Sequence, residues 1–188
     1  MTPALISLLV LAGSDFSLVE ETDGIRIESR PVAGSNIVEL RLTTTTSKAP
    51  GPLCDAAFGE GKFDPEEPDL KSRKILSESA DERVTYDQIS PPVVANRDYA
   101  VRAKRIRTSD DLCVMTFTAA NELAPPRPDG WVRITKLWGE WRFERVEGKT
   151  KVTYVVFSDP AGSIPAFMVE GSRRKMAVKW LKMIISRG

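Results

Sequence analysis

The sequence predicts an α+β domain: a curved antiparallel β-sheet closed by one long C-terminal helix. Three observations carry this. From Asp129 to Phe157 the chain reads strand, turn, strand, turn, strand, and alternating positions such as Trp141/Phe143 and Thr153/Val155/Phe157 offer apolar faces. Short alternating segments broken by turn residues fill most of the chain before it. After Pro165 a helical stripe of Val169, Met176, Ala177, Trp180 and Ile184 backs onto Lys175, Lys179 and Lys182. A concave apolar sheet covered by a single helix is a container, and that inference organises the rest.

The first strands form a meander. Ser17-Leu18-Val19-Glu20 leads to a turn at Thr22-Asp23-Gly24, and Ile25 to Arg30 alternates apolar and polar. Gly34-Ser35-Asn36 turns the chain into Ile37–Leu42 and the threonine run Thr43–Thr46. Pro50, Gly51, Pro52, Gly59, Gly61, Pro65 and Pro68 then break the pattern, leaving room for short helical turns near Leu53–Phe58. Strands resume at Lys74–Ser77, Arg83–Ile89, Asn96–Ala103 and Leu112–Ala119, where Cys113, Met115 and Phe117 share a face. A loop holding Pro125, Pro126 and Pro128 precedes the last strands. Ser163 stands where a helix N-cap belongs, and Pro165 suits the first helical turn, where a missing N–H is no loss.

With 188 residues the chain is expected to form one domain with a sizeable core, spanning 15–188 behind a segment 1–14. Leu5–Leu11 followed by Ala12-Gly13-Ser14 has the apolar run and small residues of a signal peptide, although no Lys or Arg precedes it; an N-terminal helix is the alternative. We expect export to a periplasmic or extracellular location, with the cytoplasm as the other possibility. The net charge of +1 offers no bulk field for nucleic acid, and a monomer is expected. The absence of histidine removes Ser–His–Asp and Cys–His nucleophile systems and histidine-ligated zinc. Two cysteines are too few for a thiolate cluster, so neither metal nor cofactor is expected. Cys54 and Cys113 could pair in an oxidising compartment, but we expect buried free thiols.

A family resemblance emerges from the order of short motifs. Phe16-Ser17-Leu18, Asp23-Gly24-Ile25, Ser29-Arg30, Tyr86-Asp87 ahead of Pro91-Pro92, and Asn96-Arg97-Asp98-Tyr99 resemble the START (StAR-related lipid-transfer) domain. So do Val132-Arg133-Ile134, Gly139 with Trp141, Lys149-Thr150 with Tyr154, and Asp159-Pro160 through Pro165. The resemblance covers 15–185 and implies a helix-grip fold, with one lipid held in a tunnel between sheet and helix. In sterol-binding members a buried acid faces an arginine. Asp87 matches the acid, but the arginine position is Ala103; Arg105, on the same strand face, is the candidate substitute.

The expected ligand-binding residues are Asp87, Tyr99, Val101, Arg105, Met115, Phe117, Trp141, Phe157, Met176 and Trp180. Arg97 and Asp98 are expected to form a structural ion pair at a strand start, with a ligand contact as the alternative. The expected partner is a lipid or other hydrophobic small molecule, with transient membrane contact through the outer lysines. A non-catalytic binder or carrier is the leading function. The alternatives are a polyketide cyclase or aromatase using Asp87, Tyr86 or Tyr99 as acid or base, and a ligand-sensing module for a protein partner.

Overall fold

The computed structural model describes residues 15–59, 69–91, 94–161 and 166–188, the side chains of residues 108 and 166–168 aside. Segment 1–14 and the capping residues Ser163 and Pro165 lie outside the described residues. Among the described residues ten strands form one sheet: β1 (Ser17–Thr22), β2 (Ile25–Pro31), β3 (Val38–Thr46), β4 (Leu70–Glu78), β5 (Glu82–Ile89), β6 (Arg97–Ser109), β7 (Leu112–Ala119), β8 (Val132–Arg133), β9 (Leu137–Val146) and β10 (Lys149–Ser158). The spatial order is β1-β2-β3-β10-β9-β7-β6-β5-β4, antiparallel throughout, with the short β8 added in parallel beside β6. Helix α1 (Pro50–Gly59) interrupts the strands, and α2 (Ala166–Arg187) ends the chain. This is the expected helix-grip architecture.

Turn chemistry sets the register. Asp23 and Gly24 (φ 51° and 73°) and Glu147 and Gly148 (φ 49° and 77°) each make a two-residue loop with positive φ at both positions. Such loops match the right-handed strand twist and fix β1 on β2 and β9 on β10. In α1, Leu53, Cys54, Ala57 and Phe58 recur at helical spacing and are all buried. They pack with Leu42, Phe143, Val152, Leu181 and Ile184 into one apolar cluster between the sheet and the two helices. Gly139 is required by close approach: a Cβ there would overlap the Phe117 ring and the Val155 carbonyl.

Two expectations are corrected by this packing. On β10 it is Val152, Tyr154 and Val156, not Thr153, Val155 and Phe157, that join the concave-face core. A strand's side chains alternate with period two, so a one-residue error of phase moves a whole set to the other face. Phe157 is fully buried all the same, because its ring stacks on cross-strand Trp138 at a centroid distance of 4.1 Å. The second correction is that Cys54 and Cys113 are disulfide-bonded rather than free. Helix α1 lies across β7 and β9, bringing two Cα atoms 59 residues apart in sequence to 6.1 Å in space.

The intact protein should therefore weigh a pair of hydrogens less before reduction than after. Replacing both cysteines by serine should cost about 2–4 kcal/mol in chemical denaturation. Two free thiols titrating in the unfolded, unreduced protein would contradict the bond.

Candidate functional site

The sheet is wider than the helices that cover it, and the space left over is a cavity of about 530 Å³. Its floor comes from alternating concave-face positions: Leu40 on β3, Tyr99, Val101 and Ala103 on β6, Met115 and Phe117 on β7, Trp141 on β9, and Tyr154 and Val156 on β10. The roof is α2, through Val169, Met176, Ala177, Trp180 and Ile184, with Ala57 and Phe58 of α1 closing one end. The stripe read from the sequence thus covers the sheet and lines the hollow. Trp141 stacks on Tyr154 at 3.8 Å, making a flat aromatic surface in the floor.

Polar groups enter from the rest of the lining: Asp69, Arg73, Arg83, Thr85, Asp87, Arg97, Ser158, Ser172 and Arg173. Asp87 is 1% exposed, and both its oxygens accept from Arg73, at 2.8 Å from Nε to Oδ1 and from Nη2 to Oδ2. Register explains the pair, since Arg73 on β4 stands directly opposite Asp87 on β5. Arg83 binds Glu78 and the Phe58 carbonyl. Burial pushes the guanidinium of Arg97 below its ordinary value. It does the same to Arg173, with Glu170 working in the opposite direction. Burial also pushes the Tyr154 hydroxyl far up, so that it stays protonated. Among the described residues no group of three or more Cys, Asp or Glu could hold a metal ion.

Eight of the ten expected ligand-binding residues line this cavity: Asp87, Tyr99, Val101, Met115, Phe117, Trp141, Met176 and Trp180. Phe157 does not, being on the other face. Nor does Arg105, which bonds Asp55, Asp81 and the Ala80 carbonyl and lies 4.7 Å from the Phe58 ring centroid. Arg73, not Arg105, is therefore the partner of Asp87. The Arg97–Asp98 ion pair also does not form, because neighbouring strand residues point to opposite faces. Asp98 accepts from Arg133 and from the Tyr86 hydroxyl on the far side of the sheet, which takes Tyr86 out of the cavity.

Arg73, Arg173 and Tyr154 were overlooked, and Arg97 was read as a structural ion-pair residue rather than a lining one. Arg97 carried a readable signal, standing two positions before Tyr99 on one strand. Arg173 carried another, falling between Val169 and Met176 on the helical stripe.

Arg73→Met should strand the Asp87 carboxylate in the lining and cost about 3–5 kcal/mol in urea denaturation. The double variant with Asp87→Leu should recover much of that loss. A double variant no more stable than Arg73→Met would show that the pair is not coupled.

Comparison with known proteins agrees with this geometry. PA1579, an uncharacterized protein of Pseudomonas aeruginosa, is 27% identical over 162 residues, covering 82% of this chain and 77% of its own. The structure superposes on a STAR-related lipid transfer protein fragment from Xanthomonas axonopodis with TM-score 0.78 and 24% identity, over 91% of this chain and 97% of that one. Human STARD10 follows at TM-score 0.75 and 14% identity, over 92% and 72% of the two chains. The Zhui aromatase/cyclase from Streptomyces shares the fold more distantly, at TM-score 0.56 and 13% identity over 79% and 91%. The START domain family matches residues 70–187, from the first residue of β4 to the last of α2, and the chain belongs to that family.

Proposed function

We propose that this chain binds one lipid or other hydrophobic small molecule in the cavity and carries it unchanged. The observation behind this reading is the hollow itself, about 530 Å³ floored and roofed largely by apolar and aromatic side chains. Pockets of about 300–1,000 Å³ hold single small ligands. Unfilled apolar space costs about 24 cal/mol per Å³ where packing is lost, a standing cost that an apolar occupant offsets. The shared fold of the Xanthomonas STAR-related lipid transfer protein agrees with this reading.

A binder is favoured over a cyclase by how two of the three acid–base candidates, Asp87 and Tyr86, are engaged; the third, Tyr99, lines the cavity. Asp87 has both oxygens committed to Arg73, and Tyr86 donates to Asp98 on the opposite face. A general base needs a free lone pair aimed at substrate. On the outside, Lys175 and Lys179 are exposed on α2, a surface suited to brief contact with anionic headgroups during loading, while Lys182 is bonded to Asp23. The Cys54–Cys113 disulfide favours an oxidising compartment, hence an exported protein.

Native mass spectrometry of the gently purified protein should show a bound hydrophobic molecule recoverable by solvent extraction. Ala103→Phe projects a ring into the hollow from mid-floor and should lower retention several-fold while keeping the fold. A wild type that neither retains nor takes up any hydrophobic molecule would refute the reading.

Loading requires part of the wall to open. Gly171 lies in the first turns of α2, and a Cβ there would meet nothing within 4 Å. Gly171→Ala should stabilise the helix by up to about 1 kcal/mol and slow vesicle-to-vesicle transfer of a fluorescent lipid, with capacity unchanged. Transfer at the wild-type rate by a better-melting variant would make α2 a fixed wall. The loop around Leu123–Pro128 contributes no residue to the cavity lining.

A further inference from the structure

We propose that the occupant is an amphiphile with an anionic head, a carboxylate or a phosphate ester, seated on the Arg97 guanidinium. The proposal rests on the ligand-binding reading above and narrows it. Among the described residues four arginines line the hollow, against two acids, Asp69 and Asp87. Three of the four have a carboxylate: Arg73 has Asp87, Arg83 has Glu78, and Arg173 has Glu170 at 3.4 Å. Arg97 has none among the described residues. It is 3% exposed, and its partners are two backbone carbonyls, Pro160 at 3.3 Å from Nε and Ala95 at Nη1. Carbonyls satisfy N–H groups but leave the charge uncompensated, and such a buried charge is costly.

Among the described residues the acids that could neutralise it are engaged elsewhere. Asp87 is held bidentately by Arg73, and Asp98 faces the other side of the sheet with Arg133. Asp159 accepts from the Ala161 N–H and the Ser35 hydroxyl, its charge acts on Arg173, and it makes no ion pair with Arg97. Asp69 is exposed at the rim and makes no ion pair with Arg97. The missing negative charge is thus one the ligand supplies. A guanidinium carries five donors in a fork that fits carboxylate and phosphate oxygens, and Nη2 of Arg97 has no partner among the described residues. From Arg97 the same face of β6 continues through Tyr99, Val101 and Ala103. A head on the arginine therefore leaves its tail along an apolar floor. A free anion would use the fork and leave that floor bare.

The test titrates delipidated wild type with hexadecanoate, hexadecyl phosphate and hexadecanol, and with acetate and inorganic phosphate as heads without tails, followed by calorimetry. Both anionic amphiphiles should bind roughly ten-fold or more tighter than the alcohol, as one charge-assisted hydrogen-bonded contact predicts. The two small anions should bind far more weakly. Arg97→Met should bring the anionic amphiphiles down to the alcohol's affinity without changing the alcohol, and Arg97→Lys should keep part of the preference. If the alcohol binds wild type as tightly as the acid and the phosphate, the anionic-head proposal falls while the cavity reading stands. If no tailed probe binds, the cavity reading falls and takes the proposal with it. Inorganic phosphate binding as tightly as hexadecyl phosphate would make the arginine a free-anion site and also overturn it. Should Arg97→Met not fold, the acid-against-alcohol comparison in wild type decides alone.

Discussion

Everything in this molecule depends on a mismatch of widths: a curved sheet of ten strands is covered by two helices that can fill only part of its concave face. Beneath α1 and the C-terminal turns of α2 the two layers meet. There Leu53, Phe143, Leu181 and Ile184 are fully buried, and the Cys54–Cys113 bond ties helix to sheet. Beneath the rest of α2 the layers stay apart, and the aromatic floor of Trp141 and Tyr154 faces open space. The solid part provides the stability that lets the rest stay hollow. Interiors are normally packed like organic crystals, so a void of this size persists only where surrounding structure holds it open.

The polar content of the hollow follows from the same division. A buried charge is tolerated when paired, and cross-strand register supplies the pair wherever two facing positions on adjacent strands carry opposite charge, as with Arg73 and Asp87. Arg97 sits opposite Ile89 in the β5–β6 ladder, so register gives it no acid. Its carbonyl contacts hold the chain at Pro160, where β10 has just ended, against the start of β6. One side chain thereby joins structural and cavity-facing positions. The Asp98–Arg133–Tyr86 cluster on the opposite face is different: every member has a partner within the protein, and it anchors β8 to β6.

Much of this was legible in the residues, for local reasons. Asp23-Gly24 announced its hairpin because few dipeptides accept positive φ twice, and the α2 stripe from Val169 to Ile184 announced its buried face by its spacing. Met115, Phe117 and Trp141 followed from strand alternation and Met176 and Trp180 from helical spacing, whereas Asp87 followed from the family resemblance. What stayed hidden was pairing at a distance. Arg105 looked like the partner of Asp87 because it shares a strand face with Ala103, yet α1 ends over that stretch and Phe58 and Asp55 claim the guanidinium instead. The Cys54–Cys113 bond depends on where α1 lands across the sheet, which no local pattern records. The phase of β10 was misread because Phe157 is buried too, and burial on both faces erases the alternation that would reveal direction.

Gly139 bears on how such a container changes its contents. Because the glycine has no side chain, the Phe117 ring from the neighbouring strand occupies the place a Cβ would take. The floor at that point is therefore a borrowed tile, laid by one residue over the bare backbone of another. Shortening residue 117 deepens the chamber locally and leaves the ladder beneath intact, whereas giving position 139 a side chain forces the tile and the strand behind it to move. Ligand size can thus drift through position 117 while position 139 stays fixed, which separates the part of this pocket free to diversify from the part that must remain glycine.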